Sequence, residues 1–312
     1  MTGPRPTFSV IIPAYNAGRT IESSIRSVLQ QSRTDFELIV VDDGSTDDTG
    51  RRVEAFGDER IRLLRRANGG PAAARNEGIA AARGEYVSML DSDDLWMPRY
   101  LETMAETLAA TPAAAFAYTD AWVLDEATGR VRSSTAMEYW RPATVPPEDA
   151  GGLLLLLLDR NFVFTSTTVR RAVVVRLGGF DERLRYAEDY ELWVRIVADG
   201  NSAVGTDQVL AIHRDRSDSL TSATGELYRG ICRAYEIILE KHELDDAARA
   251  VVARNQRYWE RQLRAVEQPS RRDRARNLAR LLKHRVQDRS LWLEHPPPRV
   301  METLRACRAV EA

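Results

Sequence analysis

Little in this sequence points to cross-linking, export or a bilayer. Only two cysteines occur in 312 residues, Cys232 and Cys307, both in helical-looking C-terminal sequence. That excludes a disulfide framework and a thiolate metal cluster, and two reduced thiols suit a cytoplasmic setting. The most hydrophobic run, Leu153 to Leu158, stops at Asp159-Arg160. It is far shorter than the ~20 apolar residues of a membrane helix and reads as a buried helix. Met1-Thr2-Gly3-Pro4-Arg5-Pro6 leads into an apolar strand, without the basic segment, long apolar stretch and small-residue cleavage site of an export signal. Nor is one sign of charge in excess. Lys+Arg 44 against Asp+Glu 46 leaves a formal net charge of -2, so no whole-protein field recruits nucleic acid, and any phosphate binding must be local. No internal repeat or low-complexity tract occurs.

What is present is an ordinary globular composition, 44% hydrophobic and 29% charged, in a chain able to bury one large core or two smaller ones. Phe8 to Ile12, Phe36 to Val41, Ile61 to Leu64 and Tyr86 to Leu90 read as strands with nearly continuous apolar residues, separated by segments long enough for crossover helices. That pattern predicts a parallel sheet covered on both faces. Helices are expected over Arg19 to Gln30, after Ser45-Thr46-Asp47, over Ala72 to Ala82, and from Pro98 through Leu101, Met104 and Leu108, with Pro98 as the first helical residue. Beyond Pro112 the pattern changes to a strand over Phe116 to Leu124, a turn near Asp125 to Gly129, and Val131, read as antiparallel. The class is α/β with a mixed second half. Ser133 to Gly152 reads as a loop, Phe162 to Val169 as a strand and Tyr186 to Ala198 as a helix. From about Gly225 the chain is helical and arginine-rich, and basic runs such as Arg271-Arg272-Asp273-Arg274 read as solvated helix faces.

Ligands of open parallel sheets bind beyond the carboxyl ends of the strands. Here those ends carry Pro13-Ala14-Tyr15-Asn16, Asp42-Asp43-Gly44-Ser45 and Asp91-Ser92-Asp93-Asp94. Like charges ~4 Å apart repel by ~4 kcal/mol at an effective dielectric of ~20, a cost that a divalent cation removes. Asp91, Asp93 and Asp94 offer the hard oxygen ligands that suit Mg2+ or Mn2+ and leave coordination positions for phosphates. The alternative makes these aspartates a helix N-cap before Trp96-Met97-Pro98; Asp42 and Asp43 tilt the balance toward a ligand site. Asn68-Gly69-Gly70-Pro71, leading into a helix with Arg75, is either a phosphate rest or simply a turn.

These four ordered segments together resemble the family 2 inverting glycosyltransferases with the GT-A fold, a Rossmann-like, mostly parallel sheet flanked by helices. The likeness runs from about Thr7 to Thr221. It implies a glycosyltransferase domain over residues 1–222, with a nucleotide-sugar-binding half (1–97) and an acceptor-binding half (98–222), followed by a helical C-terminal extension (223–312). It implies that Pro13, Ala14, Tyr15 and Asp42, with Asp43 and Ser92 beside them, hold the nucleotide-sugar. Arg75 is implied near the base and phosphates, and Asp91 near the ribose or metal. Asp93 is placed at the metal itself, and Asp94 shares that role. Gly178-Gly179-Phe180-Asp181-Glu182 and Ala187-Glu188-Asp189-Tyr190-Glu191-Leu192-Trp193 resemble the family's acceptor loop and Glu-Asp motif, with Asp189 as the base. Glu188 and Trp193 are then expected near acceptor or diphosphate. A carboxyl with an ordinary pKa of ~3.9 is a weak base, so burial or Glu188 beside it would help. Read without the resemblance, Glu188 and Asp189 are the charged first turn of a helix. Metal and Arg75 would stabilise the departing diphosphate.

One departure from the family pattern matters. Similar enzymes have Tyr-Arg-x-His before a Ser-x-Thr end, whereas this chain, aligned on Ser219-Leu220-Thr221, has His213-Arg214-Asp215-Arg216. Either Arg216 binds diphosphate as a cation or His213 reaches in from a shifted register. The resemblance implies a Mn2+ or Mg2+ cofactor, a nucleotide-sugar donor with UDP favoured, and a glycan, lipid-linked or small-molecule acceptor. Neither membrane helices nor a Gln-x-x-Arg-Trp motif is present, which favours single-sugar transfer over processive synthesis. The basic C-terminal helices are candidates for dimerisation or for peripheral contact with a membrane. Two competitors remain: a sugar-phosphate nucleotidyltransferase, disfavoured because no Gly-x-Gly-Thr-Arg-type loop follows the first strand, and a catalytically silent sugar-nucleotide binder.

Overall fold

The computed structural model describes residues 5–133, 135–136, 150–163, 166–216, 224–268, 293 and 296–308. Strands β1 (Phe8–Ala14), β2 (Phe36–Asp42), β3 (Ile61–Arg65) and β4 (Tyr86–Met89) alternate with helices α1 (Ile21–Leu29), α2 (Thr49–Glu54) and α3 (Pro71–Ala81). All four strands are parallel, in the spatial order β3-β2-β1-β4. The periodicity explains why: Val10, Ile12, Leu38 and Val40 enter one buried cluster, while Ile11, Ile39 and Val41 enter the other across the sheet. Fully burying each such side chain contributes ~1.5–3 kcal/mol, so both faces must be covered.

The second half continues the same sheet. It comprises β5 (Leu95–Trp96), α4 (Tyr100–Ala110), β6 (Ala114–Asp125), β7 (Arg130–Val131), α5 (Ala150–Asp159), β8 (Thr167–Arg170) and α6 (Arg171–Arg176). Then come α7 (Glu188–Ala198) and β9 (Ser202–Asp215). β8 joins antiparallel between β4 and β6, β5 and β7 are antiparallel additions, and β9 pairs parallel with β6 through several bulges. The sheet is therefore mostly parallel, and the carboxyl ends of β1, β2, β4, β6 and β9 share one edge.

Several sequence expectations need correction. The strand β9 was not anticipated, because its outer residues lack an apolar alternation and it exists by pairing with β6. The region after Pro112 is accordingly not purely antiparallel. Pro98 lies in a turn before α4 rather than at its first position. Leu95 and Trp96 are claimed by β9, and Gln31 supplies the cap, its side-chain oxygen accepting from the Leu101 N–H at 3.0 Å. The aspartates at 91–94 are thus not the N-cap of that helix. Of the strand expected over Phe162 to Val169, the described residues pair with β4 and β6 over Thr167–Arg170, while residues 164–165 lie outside the described residues. Gly151 and Gly152 belong to α5, whereas residues 137–149 of the expected loop lie outside the described residues, as do Ser219-Leu220-Thr221, Arg271 to Arg274 and the expected boundary at 222/223.

The C-terminal helices α8 (Thr224–Lys241), α9 (Asp246–Glu267) and α10 (Pro298–Arg308) complete the two cores. Tyr235, Ile238 and Val252 join the cluster of α5 and α7, while Val300, Leu304 and Cys307 join the cluster under α1. No helix among the described residues is long and apolar enough to cross a membrane.

Close packing of α3 on β1 requires Gly78, where an added Cβ would lie 2.5 Å from Ile11 Cγ2. Alanine in a helix is favoured over glycine by ~1 kcal/mol, but overpacking typically costs ~1–3 kcal/mol. Gly78→Ala should therefore lower the urea midpoint at unchanged slope, despite the better helix former.

Candidate active site

The mouth of the sheet is built from loops that hold one another. After β1, the Asn16 side-chain oxygen accepts from the Thr46 N–H at 2.8 Å, and the Gly18 N–H donates to Asp47 at 2.9 Å. The Asp42 carboxylate, at the end of β2, accepts from the Ser45 N–H at 2.9 Å. Asp43 turns the other way. Its two oxygens accept from the Gly69 and Gly70 N–H groups at 3.0 and 2.8 Å, with Arg66 at 3.1 Å. Asp43 is therefore a buried anchor for the glycine loop. Ala14 is also buried and contributes its backbone carbonyl to the Asp43 N–H at 2.8 Å. Pro13 is partly covered, and Tyr15 is exposed at this edge.

The acid loop follows β4 and is pinned from α1, where Ser24 donates to the Ser92 carbonyl at 3.0 Å. Each of its three aspartates meets a protein cation. Arg75 donates to Asp91 at 2.7 Å, Arg216 lies 3.7 Å from Asp93, and His213 Nδ1 lies 3.1 Å from Asp94. Asp94 is 1% exposed and also accepts from the Arg214 N–H at 3.1 Å. It links the loop to β9, and its carboxylate is engaged by His213 and the Arg214 backbone. Burial disfavours a charged His213, but Asp94 outweighs that and raises its pKa to about 9. His213 is thereby committed to Asp94. Arg216 instead lies between Asp93 and Glu126, whose carboxylate is 3.5 Å from its Nε.

Glu126 follows β6 and Arg216 follows β9, so parallel pairing of those strands brings both to the same edge as the acid loop. The sequence offered no signal for Glu126 beyond its place in a turn; its role depends on a strand pairing that spans some ninety residues.

Arg75 connects this mouth to the acceptor side. It is 4% exposed, and its guanidinium donates to Asp91 and, in a very short contact, to Glu188 at the start of α7. Burial works against its charge, yet Asp91, Glu188 and Asp189 together raise its pKa. Arg75 therefore joins two acidic segments and is not splayed toward open solvent beside a base. Burial pushes the Glu188 carboxyl up, Arg75 opposes, and Asp189 adds to the rise. Asp189 follows on the same helical turn, partly exposed, with one oxygen accepting from the Tyr190 N–H at 2.7 Å. Ala187, immediately before, has a φ of 59°. Left-handed backbone at a non-glycine residue stores ~1–3 kcal/mol and tends to occur where function over-determines the chain.

Trp193 departs from expectation. It is fully buried against Phe116, with ring centroids 4.9 Å apart, and so supports α7 from the core without reaching an acceptor. Two further groups shape this side, Phe180 of the expected acceptor-loop motif and Asn76 on α3. Asn76 accepts from the Phe180 N–H at 2.7 Å and donates to its carbonyl at 3.0 Å, while the Phe180 ring lies 5.4 Å from the Arg75 guanidinium.

No group of three or more His, Cys, Asp or Glu side chains among the described residues is arranged to hold a metal ion by itself. Asp93 nevertheless has the character of a cation ligand: burial and the negative charges of Asp94 and Asp91 push its pKa up against the pull of His213 and Arg216. A carboxylate so placed is relieved by an added cation. The donor set fits a divalent ion that draws most of its ligands from a diphosphate, not one caged by protein.

Comparison with known proteins agrees with this architecture. A family model described as glycosyl transferase family 2 matches residues 9–177. The chain is 32% identical over 219 residues, 69% of its length and 79% of the relative's, to the UDP-Glc:alpha-D-GlcNAc-diphosphoundecaprenol beta-1,3-glucosyltransferase WfgD of Escherichia coli. Among solved structures, S. aureus TarS 1-349 in complex with UDP-GlcNAc superposes with a TM-score of 0.64 at 21% identity, covering 86% of this chain and 77% of that one. The mannosyltransferase PcManGT from Pyrobaculum calidifontis, in complex with GDP-Man and Mn2+, superposes with a TM-score of 0.62 at 19% identity, covering 98% and 86%. With its motifs in order along one edge of a GT-A sheet, this chain belongs to glycosyl transferase family 2.

Proposed function

We propose that the chain transfers one sugar from a nucleoside-diphosphate donor, a UDP-sugar by preference, to an acceptor hydroxyl with inversion at the anomeric carbon. The observation that carries this is the buried Arg75 bridge, which brings Asp189 to the acid loop while leaving it partly exposed. The loops after β1 and β2 receive the nucleoside, with Tyr15 and Asp42 at its edge. Asp93 is the residue that would hold a Mn2+ or Mg2+ ion together with the diphosphate. When bound, that ion supplies a Lewis-acid charge to the leaving group. Arg216 adds a guanidinium beside Asp93, at the position where the family pattern carries a histidine.

Asp189 takes the proton from the acceptor hydroxyl as its oxygen bonds to the anomeric carbon. The bond from that carbon to the diphosphate oxygen breaks on the opposite face, and its electron pair leaves with the nucleoside diphosphate. Glu188 is occupied by Arg75, so the base role falls to Asp189. The uridine preference is supported by the UDP-linked names of the Escherichia coli relative and the TarS complex, and the GDP-Man complex makes guanosine the alternative to test. The Escherichia coli relative's diphosphoundecaprenol acceptor favours a lipid-linked acceptor here as well.

A thermal-shift panel tests the donor site, because a ligand selective for the native state raises its apparent stability. UDP with Mn2+ should raise the melting temperature above UDP alone, and Asp93→Ala should abolish the Mn2+-dependent part. Asp189→Asn should keep donor affinity within about twofold while transfer falls by roughly 10²–10⁴; equal loss of both would remove Asp189 from the base role. The released product should be nucleoside diphosphate. Pyrophosphate would instead identify a nucleotidyltransferase.

A further inference from the structure

The segment carrying Asp189 is gripped from its far side by a group of charges that lies wholly beyond the family-matched residues 9–177. Glu191, three residues after Glu188 on α7, is completely buried. Arg195 donates to its two oxygens at 2.9 and 2.8 Å, and Lys241, the last residue of α8, donates at 3.1 Å. The same Lys241 ammonium is 2.8 Å from the Asp181 carboxylate in the acceptor loop. Arg195 also donates to the Leu177 and Gly179 carbonyls at 2.5 and 2.6 Å. One step along, Phe180 is held by Asn76 and faces Arg75.

We infer that Lys241 is a positioning residue for sugar transfer: its ammonium joins the acceptor loop to α7 and so sets where Asp189 stands relative to Arg75. The chain has only two lysines against 42 arginines, so a lysine here reflects geometry. The compact Lys241 ammonium, with three donors, serves two carboxylates from different elements, Asp181 and Glu191. Without that ammonium, Asp181 keeps Arg183 and Glu191 keeps Arg195, so each acid stays paired and the fold survives. The charged part of the tie between loop, α7 and α8 then falls to the Arg195 contacts to carbonyls and to the exposed Arg183–Glu240 pair at 3.0 Å, a type of surface bridge that contributes little, while the apolar packing of Tyr190 on Tyr235 remains. The C-terminal helices thereby become part of the catalytic geometry, a role beyond core filling.

The kinetic arm of the test rests on the transfer reading above; the structural arm does not. Lys241→Met should leave the nucleoside-diphosphate dissociation constant within about twofold of the parent while kcat for transfer falls roughly ten- to a hundredfold, as expected when a reacting group is displaced by about 1 Å. Lys241→Arg, which keeps the charge but not the compact head, should fall between. Hydrogen exchange should quicken over residues 178–190 in Lys241→Met and stay unchanged in β1 and α3. Unchanged exchange over 178–190, exchange quickened uniformly along the chain, or parallel loss of donor affinity and turnover would each overturn the inference. If the parent protein transferred no sugar at all, the functional reading would fail, and the exchange pattern would still decide the role of Lys241.

Discussion

The whole arrangement turns on one buried cation. Arg75 holds Asp91 from the strand side and Glu188 from the helix side; the guanidinium and Glu188 are buried, and Asp91 is partly exposed. Taking the Arg75 guanidinium and the Glu188 carboxylate out of water costs several kcal/mol per ion, and removing one partner of such a buried pair typically costs ~3–5 kcal/mol because the remaining charge is stranded. The cluster therefore holds together as a unit. Its members come from α3, the loop after β4 and the start of α7, so the ion pairs lock the donor side of the sheet to the acceptor side.

A parallel sheet makes that concentration of charge unavoidable. Strands β2, β4, β6 and β9 all end at the same edge, which carries Asp42 and the loop Asp91 to Asp94, with Arg216 between Asp93 and Glu126. Unpaired, these acids would repel strongly. The fold answers with internal cations: Arg75 at Asp91, His213 at Asp94, Arg216 beside Asp93. At Asp93, burial and the charges of Asp94 and Asp91 still push the carboxyl pKa up against the pull of His213 and Arg216. The same logic recurs behind the site, where Lys241 and Arg195 neutralise Glu191 and Asp181.

Much of this was legible beforehand. Continuous apolar runs placed the first four strands, and the acidic and glycine-bearing segments after them marked the correct edge, because a strand's burial and a loop's chemistry are both written locally. What the sequence leaves open is direction. Asp43 and Asp94 are acids in the right loops, but their carboxylates face backbone amides and, for Asp94, His213. Trp193 lies on the right helix but on its core-facing side. Sequence adjacency cannot tell a ligand from an anchor one residue away, since the choice depends on which neighbour fills the space.

By itself, then, the sequence determined the family pattern, the α/β class and the shortlist of acids, through periodicity and motif order. Only the tertiary structure decided which of those acids are already spent on internal partners, and which remain to face a ligand. It also brought in Glu126 and Lys241, residues with no motif of their own, and set Asn76 against Phe180 of the acceptor-loop motif. Their roles arise from contacts between segments dozens of residues apart, and such contacts exist only once the sheet has aligned its strand ends and the helices have closed over it.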